Sequence, residues 1–212
     1  GRTMAALWSD FDPRTLATPE AFDADPELVT RWYDWRRLMC LRAEPNPGHR
    51  ALATLQNRVE AAGRRFTLLT QNVDGLHQRA GSTGVVELHG SIMRWRGVRS
   101  GTPAVLPEGP FDSYPPTLES GELIRPSVVW FGEALPEDAV RAAGEALRSC
   151  GVFLSIGTSS VVYPAAGFID DARRAGAVTI EVNPASTAIS GDVDICLRGP
   201  AGEVLPLLMG GG

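Results

Sequence analysis

Gln71, Asn72 and Asp74 follow directly on the apolar run Phe66–Thr70, with Gly75 close behind. Turn formation accounts for Asp74 and Gly75, since both residue types favour turns. It does not account for Gln71 and Asn72, which stand where a strand should still be ordered. The other reading is a ligand site, because open parallel sheets bind small molecules just outside the carboxyl ends of their strands. Gly157, Thr158 and Ser159 repeat the arrangement after the apolar segment 152–156. Small residues and hydroxyls there let the backbone approach a phosphate or ribose, although a simple glycine turn has the same composition. His89, in the sequence ELHG, carries a group whose ordinary pKa lies near neutrality and suits proton transfer. A lone histidine at a strand end serves packing equally well. Tyr33 and Arg36 stand three apart in a segment that reads as helix, so they share a face. An arginine fork there suits a carboxylate. The alternative is a packed tyrosine beside an arginine paired with Asp34 or Glu44.

These groups need rigid elements to aim them. Leu52, Leu55 and Val59 have helical spacing within residues 51–63, and Asn46-Pro47 upstream suits an N-cap with proline in the first turn. Segments 66–70, 152–156, 178–182 and about 193–197 read as strands. Segments 136–149, 164–175 and a stretch from about 203 read as helices. Strands alternating with helices predict a doubly wound parallel α/β sheet. Two stretches break the rhythm: residues 17–42 are helical and dense in aromatics, and residues 90–126 are rich in Gly, Pro and Ser without periodicity. The length of the second marks an inserted module rather than an ordinary connection.

With 212 residues and 43% hydrophobic content, the chain can hold one α/β domain with a modest second lobe. A net charge of −5 argues against a broad nucleic-acid footprint. All twenty basic residues are arginine, which decides nothing about function. No apolar run approaches the roughly 18 residues of a membrane span, so a cytoplasmic protein is expected. Cys40, Cys150 and Cys196 match no metal or disulfide spacing and read as small buried hydrophobes in a reducing compartment.

The segments TQNVDGLHQRAG, ELHG, RPSVVWFGE, GTSSVVYPA and EVNP, in this order and spacing, resemble the sirtuins, NAD-dependent protein-lysine deacylases. The resemblance covers the chain from about Arg2 to its end. It implies a Rossmann-like NAD-binding domain, residues 51–89 and 127–212, and a small lobe made of two insertions, residues 2–50 and 90–126. It implies that Gln71, Asn72 and Asp74 face nicotinamide and its ribose, the last two sharing catalysis with His89. Uncharged hydrogen-bonding groups can orient a ribose or carboxamide without neutralising the reacting cation. In the family the acyl oxygen displaces nicotinamide, giving an alkylimidate, and the histidine then acts as base on a ribose hydroxyl. Arg2, Gly157, Thr158, Ser159, Asn183 and Cys196 are implied NAD contacts. Val128, Val129, Trp130, Phe131, Gly132 and Glu133 are implied to offer an extended edge that takes the acylated peptide as an added strand. The placement of Tyr33 and Arg36 is similar to that in the branch acting on succinyl- and malonyl-lysine.

Two departures from the family stand out. Its first strand and GAGIS-type phosphate loop are missing ahead of Gly1, and a shortened chain is expected rather than a sheet with exposed edges. Its zinc-binding CxxC pairs fall on Gly97, Ser100, Thr117 and Ser120, so no structural zinc is expected. The competing functions are a sirtuin-like ADP-ribosyltransferase or NAD hydrolase, and a non-enzymatic binder of acyl-lysine or nucleotide.

Overall fold

In the computed structural model, which describes residues 12–158 and 167–210, four successive helices begin on one signal. They are α1 (Pro13–Leu16), α2 (Pro19–Ala24), α3 (Pro26–Arg42) and α4 (Pro47–Ala61). Each has proline in its first turn, where a missing N–H costs nothing and φ is already helical. Asp12, Thr18, Asp25 and Asn46 cap them, each side chain accepting a backbone N–H that would otherwise lack a partner. His49 completes a capping box at Asn46, its ring Nδ1 accepting the Asn46 N–H at 3.2 Å.

The chain forms two compact units. One takes the residues up to Ala43, Thr70–Gly75 and Glu87–Pro136; the other takes Glu44–Leu69, Leu76–Val86 and the chain from Glu137. These boundaries differ from the expected 2–50, 51–89, 90–126 and 127–212. The insert is bracketed by β3 (Gly90–Gly97) and β4 (Ile124–Val128), which pair antiparallel and so keep Ser127 and Val128 with the insert. At the other boundary, Asn46 opens α4, whose Gly48 lies so near Ala201 that an added Cβ would meet its carbonyl oxygen at 3.0 Å.

The first unit is built around Phe22, Val29, Trp32, Tyr33, Ile92, Trp95, Ile124 and Trp130, all nearly or fully buried. Full burial of one such side chain is worth about 1.5–3 kcal/mol. The β3–β4 register slips between Ser91 and Trp95, and Ile92 within that stretch and Trp95 at its end are both buried. Long-range polar bonds hold the insert to α3. Asp34, wholly buried, pairs with Arg37 at 2.7 Å and also accepts the Phe111 N–H and the Tyr114 hydroxyl. Arg37 donates onward to the carbonyls of Pro107, at 2.9 Å, and Gly109, at 2.5 Å.

The positions that would carry zinc do not fit it. A closed zinc site needs thiolates or imidazoles, and Gly97, Ser100, Thr117 and Ser120 supply neither. The Glu122 carboxylate accepts the N–H groups of Arg99, at 2.6 Å, and Ser100, at 2.8 Å. A Cβ added at Gly97 would lie 2.9 Å from that same carboxylate. A side chain reaching inward from Gly97 would therefore collide with it.

The second unit carries the alternation expected. Strands β5 (Val152–Ile156), β6 (Val178–Asn183) and β7 (Ile195–Arg198) lie in that order and run parallel. Helices α6 (Glu137–Leu147), α7 (Phe168–Arg174) and α8 (Ala201–Leu208) accompany them, in a Rossmann-like α/β arrangement. Ala51, Leu52, Leu68, Val182 and Leu205 form its core. The strand expected over 66–70 shortens to β1 (Leu69–Thr70), beside an equally short β2 (Val86–Glu87), with the one-turn α5 (Leu76–Arg79) between them. The reading of the cysteines as buried hydrophobes is corrected: Cys196 is exposed, and Cys40 and Cys150 are only half-buried. No helix among the described residues is long and apolar enough to cross a membrane.

Candidate functional site

Beyond β1 the chain is fixed by one side-chain bond and one backbone bond. Thr70 Oγ1 accepts the Asn72 N–H at 3.1 Å, and the Val73 carbonyl accepts the Ile92 N–H at 2.9 Å. The segment 71–75 is thus tied to β3, with Asn72 exposed and Gln71 and Asp74 half-buried. His89 Nδ1 lies 3.0 Å from the Gln71 carbonyl oxygen. A carbonyl can only accept, so Nδ1 carries a proton, and in the neutral ring the lone pair lies on Nε2. Gly90 follows with φ +73°, and an added Cβ would sit 2.0 Å from the Ser127 carbonyl oxygen. Only glycine lets β3 start this close to β4 behind the histidine. The first unit therefore brings Gln71, Asn72, Asp74 and His89 onto one short stretch of framework.

The same unit holds the α3 pair. Tyr33 is fully buried, and burial pushes its phenol up to about 12 against the opposing Arg36 charge, so it stays protonated. Arg36 is half-buried and lies over the rings of Trp32, at 4.6 Å, and Tyr33, at 5.5 Å. Neither alternative partner takes it: Asp34 belongs to Arg37, and Glu44 pairs with Arg79. Among the described residues Arg36 forms no ion pair with a carboxylate. Burial raises the thiol of Cys40, and the Asp74 carboxylate raises it further against the lowering effect of Arg36.

Residues 128–133 depart from the extended edge expected of them. Val128 ends β4 and is buried, and the chain then turns back through Gly132, at φ +87°. Trp130 is buried, with the Arg125 guanidinium 3.3 Å from its ring centre. Glu133 accepts two bonds from Arg125, at 2.6 and 2.9 Å, and the Trp130 N–H at 2.8 Å. Burial would raise the Glu133 carboxyl, but Arg125 and the Trp130 N–H outweigh it and hold the group below its usual range. Val129 is half-buried, and Phe131 and Gly132 are exposed.

In the second unit Gly157 follows β5 with φ +62°, and its N–H donates to the Val182 carbonyl at 2.9 Å. Asn183, closing β6, donates from Nδ2 to the Thr158 carbonyl at 2.9 Å. Its Oδ1 accepts the Ala185 N–H at 3.3 Å. Gly157, Thr158 and Asn183 thus meet at the carboxyl ends of neighbouring parallel strands. Cys196 lies on β7 with its Sγ 3.3 Å from the Ser190 carbonyl. Arg2 and Ser159 lie outside the described residues.

Three charged pairs escaped the sequence reading: Asp34 with Arg37, Arg125 with Glu133, and Glu181 with Arg198. The signal available was a charge inside an apolar strand, as at Glu181 in VTIEV and Arg125 before PSVV.

The Sir2 family model matches residues 2–164. The NAD-dependent protein deacylase 2 of Pyrobaculum aerophilum is 50% identical over 209 residues, covering 98% of this chain and 82% of that protein. An NAD-dependent protein deacylase of Mycobacterium tuberculosis is 44% identical over 208 residues, with 96% and 86% covered. Among solved structures, a Sir2 homologue in complex with NAD matches with a TM-score of 0.88 at 41% identity, covering 96% of this chain and 78% of that one. Sir2 bound to an acetylated peptide matches with a TM-score of 0.84 at 31% identity, with 92% and 82% covered.

Proposed function

The chain belongs to the Sir2 family, and on that premise we propose that it is an NAD-dependent protein-lysine deacylase preferring succinyl- or malonyl-lysine. The substrates are NAD and acylated proteins of the cytoplasm. NAD supplies the ribosyl acceptor and a leaving nicotinamide. His89, oriented through Nδ1 on Gln71, presents Nε2 to take a proton from a ribose hydroxyl. Asn72 and Asp74 orient nicotinamide and its ribose, while Gly157, Thr158, Ser159, Asn183, Cys196 and Arg2 hold the remainder. The relatives' deacylase names and the complexes with NAD and acetylated peptide support the reaction class. We further propose that the small lobe is held by Asp34, Arg37 and Glu122 in place of zinc.

One observation carries the acyl preference: among the described residues Arg36 has no carboxylate partner, and it lies against a protonated, buried Tyr33. An arginine left in this state accepts a substrate carboxylate without first breaking a pair. A charge-assisted hydrogen bond is worth about 1.5–3 kcal/mol. Arg36→Met is therefore expected to lower selectivity for succinyl over acetyl peptide by roughly 10- to 150-fold, with deacetylation spared. Paired kcat/KM measurements on the two peptides check this, and equal loss of both activities marks Arg36 as structural.

A second reading has one observation on its side. An ADP-ribosyltransferase or NAD hydrolase would use the same NAD residues and need no peptide edge, and Trp130 and Glu133 do turn inward. Mass analysis after incubation with NAD and succinylated peptide separates the outcomes. Deacylated peptide with acyl-ADP-ribose supports deacylation. ADP-ribose alone, or labelled protein, supports the second reading, and no turnover supports a binding protein.

A further inference from the structure

We propose that Glu181 is a positioning residue for the adenosine half of NAD, acting through the loop after β6 on Asn183. The inference rests on the deacylase reading and its assignment of Asn183 to the adenosine ribose. Glu181 is 1% exposed in the middle of a central parallel strand, where a carboxylate is costly unless its oxygens are bonded. Its bonds reach the loop and β7. It accepts the hydroxyls of Thr187 and, at 2.6 Å, Ser190, and it takes Arg198 Nη1 at 2.7 Å. Arg198 donates in turn to the Ala185 carbonyl at 3.1 Å and to Ser190 Oγ at 2.8 Å. Ser190 Oγ also accepts the Thr187 N–H at 2.8 Å. The segment directly after Asn183 is thus fastened at Ala185, Thr187 and Ser190 to one ion pair, whose carboxylate is buried and whose guanidinium reaches solvent.

Asn183 stands two residues beyond Glu181 on the same strand, and so on the same face. Its own side chain depends on that loop, because Oδ1 accepts the Ala185 N–H while Nδ2 holds the Thr158 carbonyl. A purely apolar residue at 181 would fill the core equally well but could tie down neither hydroxyl nor Arg198. With the loop unfastened, a ligand must order it on binding, and that cost appears in affinity rather than in the chemical step. Glu181 touches no reacting atom in this scheme.

The test uses the intact protein and two variants. Glu181→Gln removes the charge and keeps the size. The double change Thr187→Val with Ser190→Ala keeps the Glu181–Arg198 pair and cuts the tethers. For both, the Kd for ADP-ribose by calorimetry and the KM for NAD are expected to rise about tenfold, the scale of one lost charge-assisted hydrogen bond. The kcat and the KM for acylated peptide are expected to stay within about twofold, against the roughly tenfold change above. An unchanged KM for NAD in the folded variants overturns the proposal. So does a parallel loss in kcat and in peptide KM, which a general loosening of the fold would produce. If Glu181→Gln does not fold, the double variant decides. Asn183→Ala serves as the separate control: if it binds ADP-ribose as the wild type does, the assignment of Asn183 fails whatever Glu181 does.

Discussion

Replacing His89 with Ala is expected to lower deacylation by about 10²–10⁴-fold, the scale of a lost general base. The expectation follows from geometry. The Nδ1 contact to the Gln71 carbonyl, at 3.0 Å, selects one tautomer of the neutral ring, with Nε2 as its basic nitrogen. Gly90 and the β3–β4 pairing hold the ring's backbone, so the change removes the imidazole without disturbing the framework. Nicotinamide exchange, which precedes the base's role, should fall far less than product formation. Steady-state deacylation and exchange with labelled nicotinamide, measured on one preparation, separate the two steps. Near-normal deacylation by His89→Ala would refute the assignment.

The second large effect is on stability. Asp34→Ala leaves the Arg37 guanidinium, itself 2% exposed, buried without its counter-charge. Breaking a buried pair in this way costs about 3–5 kcal/mol. In a chain of this size that corresponds to a fall in Tm of roughly 6–20 °C. The loss also strips the Phe111 N–H and the Tyr114 hydroxyl of their acceptor and frees the carbonyls that Arg37 holds. If this network stands in for zinc, a chelator will leave the wild-type Tm unchanged, and elemental analysis will find no stoichiometric metal. One zinc per chain with unfolding on chelation, or an Asp34→Ala protein as stable as wild type, would overturn the metal-free lobe.

Much of the candidate site's framework was legible because it is local. Polar residues beyond Thr70 and small residues beyond Ile156 mark the ends of strands, and the order of five short segments named the family before any coordinates did. The cap at Asn46 was legible for the same reason, since cap and proline are adjacent in sequence. Strand ends and helix starts depend on neighbours within a few residues, which a sequence displays directly.

Tertiary structure alone decided the rest. Helical spacing puts Arg37, three residues on, beside Asp34 and turns Arg36, two residues on, away from it, and in the fold Arg37 takes the carboxylate while Arg36 stacks on Tyr33. What the sequence does not display is that Arg37 also donates to the carbonyls of Pro107 and Gly109, some seventy residues away, which lets the pair be buried. The insert shows no periodicity because its apolar residues, Ile92, Trp95, Phe111 and Ile124 among them, reach the core at irregular intervals, and distant polar bonds and the Glu122 carboxylate fix the rest. The family resemblance implies a peptide-binding edge at Trp130 and Glu133, while the apolar character of the segment suits ordinary core equally well. The turn at Gly132 and the buried Arg125 draw them inward, because an interior guanidinium is costly unless a carboxylate and an aromatic face meet it.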